Sequence, residues 1–132
     1  EDNAINRRIL GAQLAQLGCR YTMSCDGAEA LAALANGPVP DVILMDCHMP
    51  NLDGWETTRR LRAWAAEPEG MQKRVSAVPV IALTAAALPE ERERCVQAGM
   101  SALVSKPVGL AELERALRVF VEPAGETVAA QA

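Results

Sequence analysis

Polar side chains follow three apolar segments of this sequence in an order that could build a reactive site. Asp46 ends a continuous apolar run, Thr84 ends a second one, and Lys106 follows a third, shorter segment. Glu1 and Asp2 add two carboxylates directly before the first helical pattern. In open parallel sheets, ligands bind beyond the carboxyl ends of the strands. If these segments are neighbouring strands, three carboxylates, a hydroxyl and an ammonium group converge in one cleft.

Three carboxylates in one cleft repel one another, and this repulsion indicates a bound cation. Two unit charges about 4 Å apart cost roughly 4 kcal/mol at an effective dielectric constant of 20, and Lys106 offsets only part of that. An all-oxygen site with few protein ligands is typical of Mg²⁺, which keeps several waters and accepts a phosphate oxygen. A carboxylate such as Asp46 can attack phosphorus and form an aspartyl phosphate. Cations and a hydroxyl such as that of Thr84 stabilise the charge on the transferring oxygens.

The elements that position these residues alternate between strand and helix. The runs before Asp46 and Thr84 are continuously apolar, as expected for strands covered on both faces, and amphipathic helical patterns lie between them. Two acidic pairs have capping-box spacing, Asp26 with Glu29 and Asp53 with Glu56. Residues 67–76 contain Pro68 and Gly70 and are interpreted as a surface extension. The alternation predicts an α/β domain with a parallel sheet and helices on both faces.

Length and composition exclude several other classes of protein. The chain has 132 residues, which fits one domain at about 150 residues per domain. It lacks the roughly 20-residue apolar run of a membrane span, so no direct membrane contact is predicted. A net charge of −4 and 3% aromatic residues argue against direct binding of nucleic acid. The four cysteines lack zinc-site spacing and are interpreted as free thiols in a reducing compartment, which favours the cytoplasm.

Four stretches taken together resemble the receiver domain of bacterial two-component signalling. They are Glu1-Asp2-Asn3 with Asn6 and Arg7, residues 45–50 with Asp53-Gly54, residues 81–85, and Ala98-Gly99-Met100 with Ser105-Lys106-Pro107. They occur in the family's order and cover nearly the whole chain. The sequence is most similar to receivers that are joined to hybrid sensor histidine kinases.

The resemblance implies both a fold and a set of roles at the strand ends. The implied fold is a flavodoxin-like doubly wound parallel sheet with strand order 2-1-3-4-5. Asp46 is implied as the phosphoryl acceptor, Thr84 as a hydrogen-bond donor to the phosphoryl group, and Lys106 as its cationic partner. Pro107 is implied to follow a cis peptide bond.

The resemblance also implies a metal ion and a protein partner. Mg²⁺ would be held by the carboxylates of Glu1, Asp2 and Asp46 and by the backbone carbonyl of His48. The implied partner is a histidine kinase or a histidine phosphotransfer domain. The phosphoryl group is then lost by hydrolysis, so the domain is a stoichiometric acceptor in a phosphorelay rather than a turnover enzyme. Its parent protein could be anchored in the inner membrane, with the domain itself in the cytoplasm.

The sequence departs from this family at two positions. The family has an apolar strand directly before its acidic pair, in the middle of the sheet, whereas this sequence begins on the pair at Glu1. We therefore expect a receiver domain over residues 1–121 that lacks its first strand through truncation of a longer polypeptide, and a tail or linker over 122–132. Otherwise the gap that the missing strand leaves in the middle of the sheet must close, stay open, or take a strand from another molecule in a dimer or strand swap. Leu103 stands where the family usually has Tyr or Phe, which weakens the expected coupling to Thr84.

Two other functions stay open at the level of sequence. A phosphatase of the haloacid dehalogenase type needs a second Asp two residues after its nucleophile. That residue is His48 here, which counts strongly against this class. A degenerate receiver would act only as a protein-interaction module. Its case rests on the missing strand, and the presence of Asp46, Thr84 and Lys106 argues against it. The side chain of His48 is interpreted as partly exposed in a loop, and Asp53 as a helix cap rather than a metal ligand.

Overall fold

The apolar runs of the sequence form strands of one parallel sheet in the computed structural model, which describes residues 3–48, 52–67, 70–85, 88–120 and 127–130. The strands are β1 (Arg20–Met23), β2 (Val42–Asp46), β3 (Val80–Thr84), β4 (Ala102–Ser105) and β5 (Thr127–Ala130). The helices are α1 (Asn3–Gln16), α2 (Gly27–Asn36), α3 (Gly54–Ala63), α4 (Met71–Val75), α5 (Pro89–Ala98) and α6 (Leu110–Arg118). A short 3₁₀ turn, Trp64–Ala66, follows α3. The predicted α/β alternation is confirmed.

Two hydrophobic layers cover the two faces of the sheet. Successive side chains of a strand point to opposite faces, and every residue of β2 and β3 is buried. Val42 and Leu44 pack in the layer that contains Leu14 of α1. Ile43 and Met45 pack in the other layer. This two-sided burial explains why the runs are continuously apolar, and it makes the sheet doubly wound as predicted.

Local capping fixes where two of the helices begin. The carboxylate of Asp26 accepts the backbone N–H of Glu29 at 2.8 Å, and the Glu29 carboxylate in turn accepts the backbone N–H of Cys25 at 2.9 Å. At α3, the Asp53 carboxylate accepts the backbone N–H of Glu56 at 2.8 Å. Both predicted capping pairs are therefore confirmed, and Asp53 serves as a helix cap.

Part of the segment interpreted as a surface extension is helical and packed. Helix α4 lies within residues 67–76, and the side chain of Val75 at its end is fully buried in the second hydrophobic layer. The guanidinium of Arg62 on α3 donates to the backbone carbonyls of Ser76 and Val78, at 2.9 and 2.6 Å. These contacts fasten the end of the segment to α3, which no local sequence pattern indicates.

Strand β5 fills the position that was expected to be empty. The strand order is β1-β5-β2-β3-β4, and all pairs are parallel. Thr127–Ala130 pairs with β1 on one side and with β2 on the other. The order corresponds to 2-1-3-4-5 with the last strand of the chain in place of the first. Residues 127–130 therefore belong to the sheet rather than to a tail or linker, because the backbone groups of β1 and β2 find hydrogen-bond partners there.

None of the helices in the described residues is long and apolar enough to cross a bilayer.

Candidate functional site

The ends of three adjacent strands bring the predicted site residues to one edge of the sheet. Asp46 at the end of β2 lies opposite Leu83 of β3, and Thr84 is the next residue. Thr84 in turn lies opposite Ser105, the last residue of β4. The backbone N–H of Lys106 donates to the carbonyl of Thr84 at 2.8 Å, which extends the ladder by one bond. This register positions Asp46, Thr84 and Lys106 as the sequence predicted.

Asp46 is a nearly buried carboxylate whose two oxygens both accept hydrogen bonds. The residue is 3% exposed. The ammonium Nζ of Lys106 lies 2.5 Å from Oδ2 of Asp46, and the backbone N–H of His48 donates to Oδ1 at 3.0 Å. A hydrogen bond with a charged partner is short and directional. The contacts with Lys106 and with the backbone of His48 therefore fix the orientation of the Asp46 side chain.

The hydroxyl of Thr84 is hydrogen-bonded to a residue that no sequence motif indicates. Thr84 is completely buried, and its Oγ1 donates to Oε2 of Glu91 at 3.1 Å. The same oxygen of Glu91 lies 3.6 Å from Nε2 of His48. Glu91 is on the first turn of α5, where carboxylates are common for reasons of helix dipole alone. Nothing in the local sequence therefore distinguishes it from Glu90.

His48 connects the site to α3 and α5 through its ring. Its side chain is 59% exposed, as expected for a loop side chain, and its ring stands edge-on to that of Trp55 with centroids 5.1 Å apart. The guanidinium of Arg94 lies 3.9 Å from the centroid of the Trp55 ring. His48 therefore contacts an aromatic ring and the carboxylate of Glu91, and the other partner of that ring is the guanidinium of Arg94.

Cys47, directly after Asp46, is held in its neutral thiol form. Its Sγ lies 3.9 Å from Sγ of Cys95 on α5. Burial, followed by the effects of Cys95 and of the carboxylates of Glu91 and Asp46, raises the pKa of the Cys47 thiol far above its usual range. A cysteine acts as a nucleophile or a metal ligand only in its deprotonated thiolate form. Cys47 is therefore unsuited to compete with Asp46 in either role.

Leu103 occupies the position where receiver domains usually have Tyr or Phe. It lies on β4 opposite Ala82 and packs against the hydrophobic layer that contains Ile43. An aliphatic side chain has no aromatic ring or hydroxyl, so the coupling to Thr84 that an aromatic residue would provide is absent at Leu103. The residue serves as packing in this structure.

A cavity of about 630 Å³ opens next to Asp46. Its lining is mixed and comes from the strand ends, from the segment after β4, and from one side of α1. The lining residues are Asn6, Ile9, Leu10, Gln13, Asp46, His48, Leu83, Ala85, Lys106, Pro107 and Val108. The Lys106–Pro107 peptide bond is cis, as the resemblance implied. The cavity gives a ligand access to Asp46 and to Lys106 at once.

The predicted metal ligands are described only in part. Glu1 and Asp2 lie outside the described residues, whereas Asp46 and His48 both line the cavity. No group of three or more His, Cys, Asp or Glu side chains able to hold a metal occurs in the part of the chain that the structure describes. A buried carboxylate that lines an open cavity, with a loop residue beside it, fits an ion that takes few protein ligands and keeps its waters. The donors present are therefore compatible with Mg²⁺.

The doubly wound parallel sheet, with a carboxylate and a lysine at its carboxyl edge, defines an α/β domain of the flavodoxin-like class. The family model for the response regulator receiver domain matches residues 1–118. The chain belongs to this family, which operates in two-component signalling.

Similar proteins include sensor kinases and isolated receiver domains. The sensor histidine kinase RcsC of Salmonella typhi is 38% identical over 127 residues, which are 96% of this chain and 12% of that protein. Histidine kinase 5 of Arabidopsis thaliana is 33% identical over 139 residues, covering 92% of this chain and 15% of that protein. This chain thus spans a small part of the curated relatives that it matches.

A solved structure agrees with the fold over most of the chain. It is the receiver domain of a sensor histidine kinase from Pseudomonas aeruginosa PAO1, with a magnesium ion coordinated in its active-site cleft. That domain is 42% identical, has a TM-score of 0.75, and the match covers 91% of each chain. The flavodoxin-like fold predicted from the sequence is confirmed by this similarity.

Proposed function

We propose that this chain is a phosphoacceptor module that takes a phosphoryl group from a phosphohistidine onto Asp46. The observation that carries the proposal is the ion pair between the buried carboxylate of Asp46 and Lys106 at the mouth of a cavity. A carboxylate without such a partner would be costly to bury. An orienting cation beside it, with open space in front of it, is what an attack on phosphorus requires.

The transfer needs little covalent chemistry from the protein. An oxygen of Asp46 bonds to phosphorus while the phosphorus–nitrogen bond of the phosphohistidine breaks, and the electron pair of that bond leaves with the imidazole nitrogen. Lys106 moves from pairing with the carboxylate alone to pairing with the phosphoryl oxygens. The hydroxyl of Thr84 donates a hydrogen bond to the same group. Hydrolysis of the acyl phosphate then restores Asp46.

The charge of the incoming group supports a role for Mg²⁺. We propose that Asp46, the backbone carbonyl of His48 and the carboxylates of Glu1 and Asp2 hold the ion. When bound, it would neutralise negative charge on the phosphoryl oxygens. Without the ion, Lys106 already pairs with the charge of Asp46, so most of the negative charge of the arriving phosphoryl group would not be neutralised.

The donor of the phosphoryl group is proposed to be a histidine kinase or a histidine phosphotransfer domain. Two large apolar side chains on α1, Ile5 and Ile9, are each 53% exposed, and Ile9 also lines the cavity. Exposed apolar groups beside a reactive site suit a protein partner better than a small molecule. We further propose a cytoplasmic site of action, within a longer protein of the hybrid kinase type.

One alternative is a degenerate receiver that only binds other proteins. It would keep the fold and lose phosphorylation. The phosphatase alternative lacks support, because the side chain two residues after Asp46 is the imidazole of His48, which contacts Glu91 and Trp55.

The test is incubation of the protein with Mg²⁺ and acetyl phosphate, followed by mass spectrometry of the intact protein. We expect addition of one base-labile, hydroxylamine-sensitive phosphoryl group, which Asp46→Asn abolishes. The matched control is Asp41→Asn, at an exposed aspartate just before β2, and it should be labelled normally. Labelling that persists in Asp46→Asn would refute the acceptor assignment, and a wild type that is never labelled would favour the degenerate receiver.

A further inference from the structure

Glu91 differs from the other carboxylates of α5 in facing the reactive edge of the sheet. Its side chain is 18% exposed, whereas Glu90 and Glu93 are exposed to solvent. Its Oε2 accepts the hydrogen bond from Thr84 and lies within 3.6 Å of His48. A single carboxylate oxygen thus touches two residues at the edge where Asp46 ends its strand.

The hydrogen bond between Thr84 and Glu91 uses the only proton that the hydroxyl can donate. A threonine hydroxyl carries one O–H donor. While that donor points at Oε2 of Glu91, it cannot serve a phosphoryl oxygen bound to Asp46. The phosphoryl group and Glu91 therefore compete for the same proton of a completely buried side chain.

Glu91 also links the strand ends to helix α5. Three residues of α5 contact groups around the site: Glu91 contacts Thr84, Arg94 lies over the ring of Trp55, and Cys95 contacts Cys47. Of these three contacts, only the one made by Glu91 involves a side chain that the proposed transfer uses. The contact of Glu91 is therefore the one that bears directly on the proposed transfer.

We propose that Glu91 is a positioning residue that restrains phosphorylation of Asp46 by holding the Thr84 hydroxyl. The inference rests on the function proposed above and deepens it. It names a residue that sets how readily Asp46 is phosphorylated.

The experiment compares four variants in labelling with acetyl phosphate and Mg²⁺. Glu91→Ala removes the acceptor and the charge, Glu91→Asp keeps the charge but shortens the side chain by one methylene, and Glu91→Gln keeps an acceptor oxygen and removes the charge. Glu90→Gln is the matched control on the same helical turn. We expect labelling of Asp46 to be about three- to tenfold faster in Glu91→Ala and Glu91→Asp, the range for loss of one hydrogen bond, with Glu91→Gln and Glu90→Gln close to wild type.

The pattern across these variants separates the possible outcomes. Acceleration in Glu91→Gln but not in Glu91→Asp would show a charge effect and overturn the proposal, as would equal rates in all four. In a Thr84→Ala background, Glu91→Ala should give no further acceleration, and a full effect there would also overturn it. If Glu91→Ala fails to fold, the opposite behaviour of the Asp and Gln variants still decides. A wild type that is not labelled at all would instead contradict the proposed function.

Discussion

At the scale of single residues, Lys106 is the cation that both stabilises the buried carboxylate and would meet the phosphoryl group. Its side chain is 25% exposed, whereas that of Asp46 is 5% exposed. Removing a charged partner leaves Asp46 buried and less compensated, but water can reach it through the adjacent cavity. The effect of Lys106 should therefore be larger on the reaction than on stability.

We expect Lys106→Ala to slow labelling by acetyl phosphate about tenfold or more, because one preorganised charge on the transferring group is lost. The free energy of unfolding should fall by about 1–2 kcal/mol, less than for a fully buried pair, because Lys106 is partly exposed and the cavity admits water to Asp46. Denaturant unfolding and the labelling rate measure the two effects. Lys73→Ala, at an exposed lysine of α4, should change neither. Global unfolding of Lys106→Ala would contradict this assignment of its role.

At the scale of elements, the approach of α3 to the end of β2 depends on a residue without a side chain. A Cβ at Gly54 would lie 2.3 Å from the backbone oxygen of Asp46 and 2.9 Å from Cα of Cys47. The backbone N–H of Gly54 also donates to the carbonyl of Cys47 at 3.1 Å. The close contact therefore involves backbone atoms at the end of β2, which cannot move away by a rotamer change as a side chain can.

We predict that Gly54→Ala destabilises the protein by about 2–3 kcal/mol, the cost of overpacking against rigid atoms, and that it also slows phosphorylation by displacing Asp46. The matched control is Gly109→Ala at the start of α6, where the nearest atom is the flexible Glu112 Oε1 at 3.2 Å. Its cost should be about 1 kcal/mol or less. Chemical denaturation gives both values, and equal values would show that the clash at Gly54 is relieved.

At the scale of the whole molecule, the sheet is continuous only because the last strand of the chain lies in its interior. β5 separates β1 from β2 and pairs with both. Without it, two rows of backbone donors and acceptors would lose their partners, at a cost comparable to a lost hydrogen bond for each buried group. A strand supplied by a second molecule could pair with the same backbone groups. A strand-swapped dimer is therefore the alternative arrangement that would keep the sheet continuous.

Ala129→Pro tests whether the pairing of β5 with β1 and β2 stabilises the fold. Ala129 pairs with Thr22 and with Ile43, and proline in a central strand removes a ladder hydrogen bond and does not fit the pleat. We expect a loss of about 3 kcal/mol or more in the free energy of unfolding, together with a tendency to associate that size-exclusion chromatography detects. Ala129→Ser keeps the backbone N–H and should therefore lose much less stability than the proline variant. An unchanged unfolding midpoint in the proline variant would show that β5 is dispensable.

The sequence by itself determined the features that depend on short-range pattern. Continuous apolar runs marked β2 and β3 because both faces of these strands are covered, and the acids at Asp26 and Asp53 marked helix starts because capping is a contact over three residues. The residue types at the strand ends then indicated Asp46, Thr84 and Lys106, since parallel strands share one carboxyl edge.

Only the tertiary structure decided the contacts between residues that are distant in sequence or unremarkable in type. Glu91 looks like any acid on a first helical turn until α5 is packed against Thr84. Arg62 looks like a surface arginine until it donates to the carbonyl of Val78. Thr127–Ala130 lacks the long apolar run that marks a central strand in the sequence. Its four residues form a strand because β1 and β2 offer backbone hydrogen-bond partners on both sides.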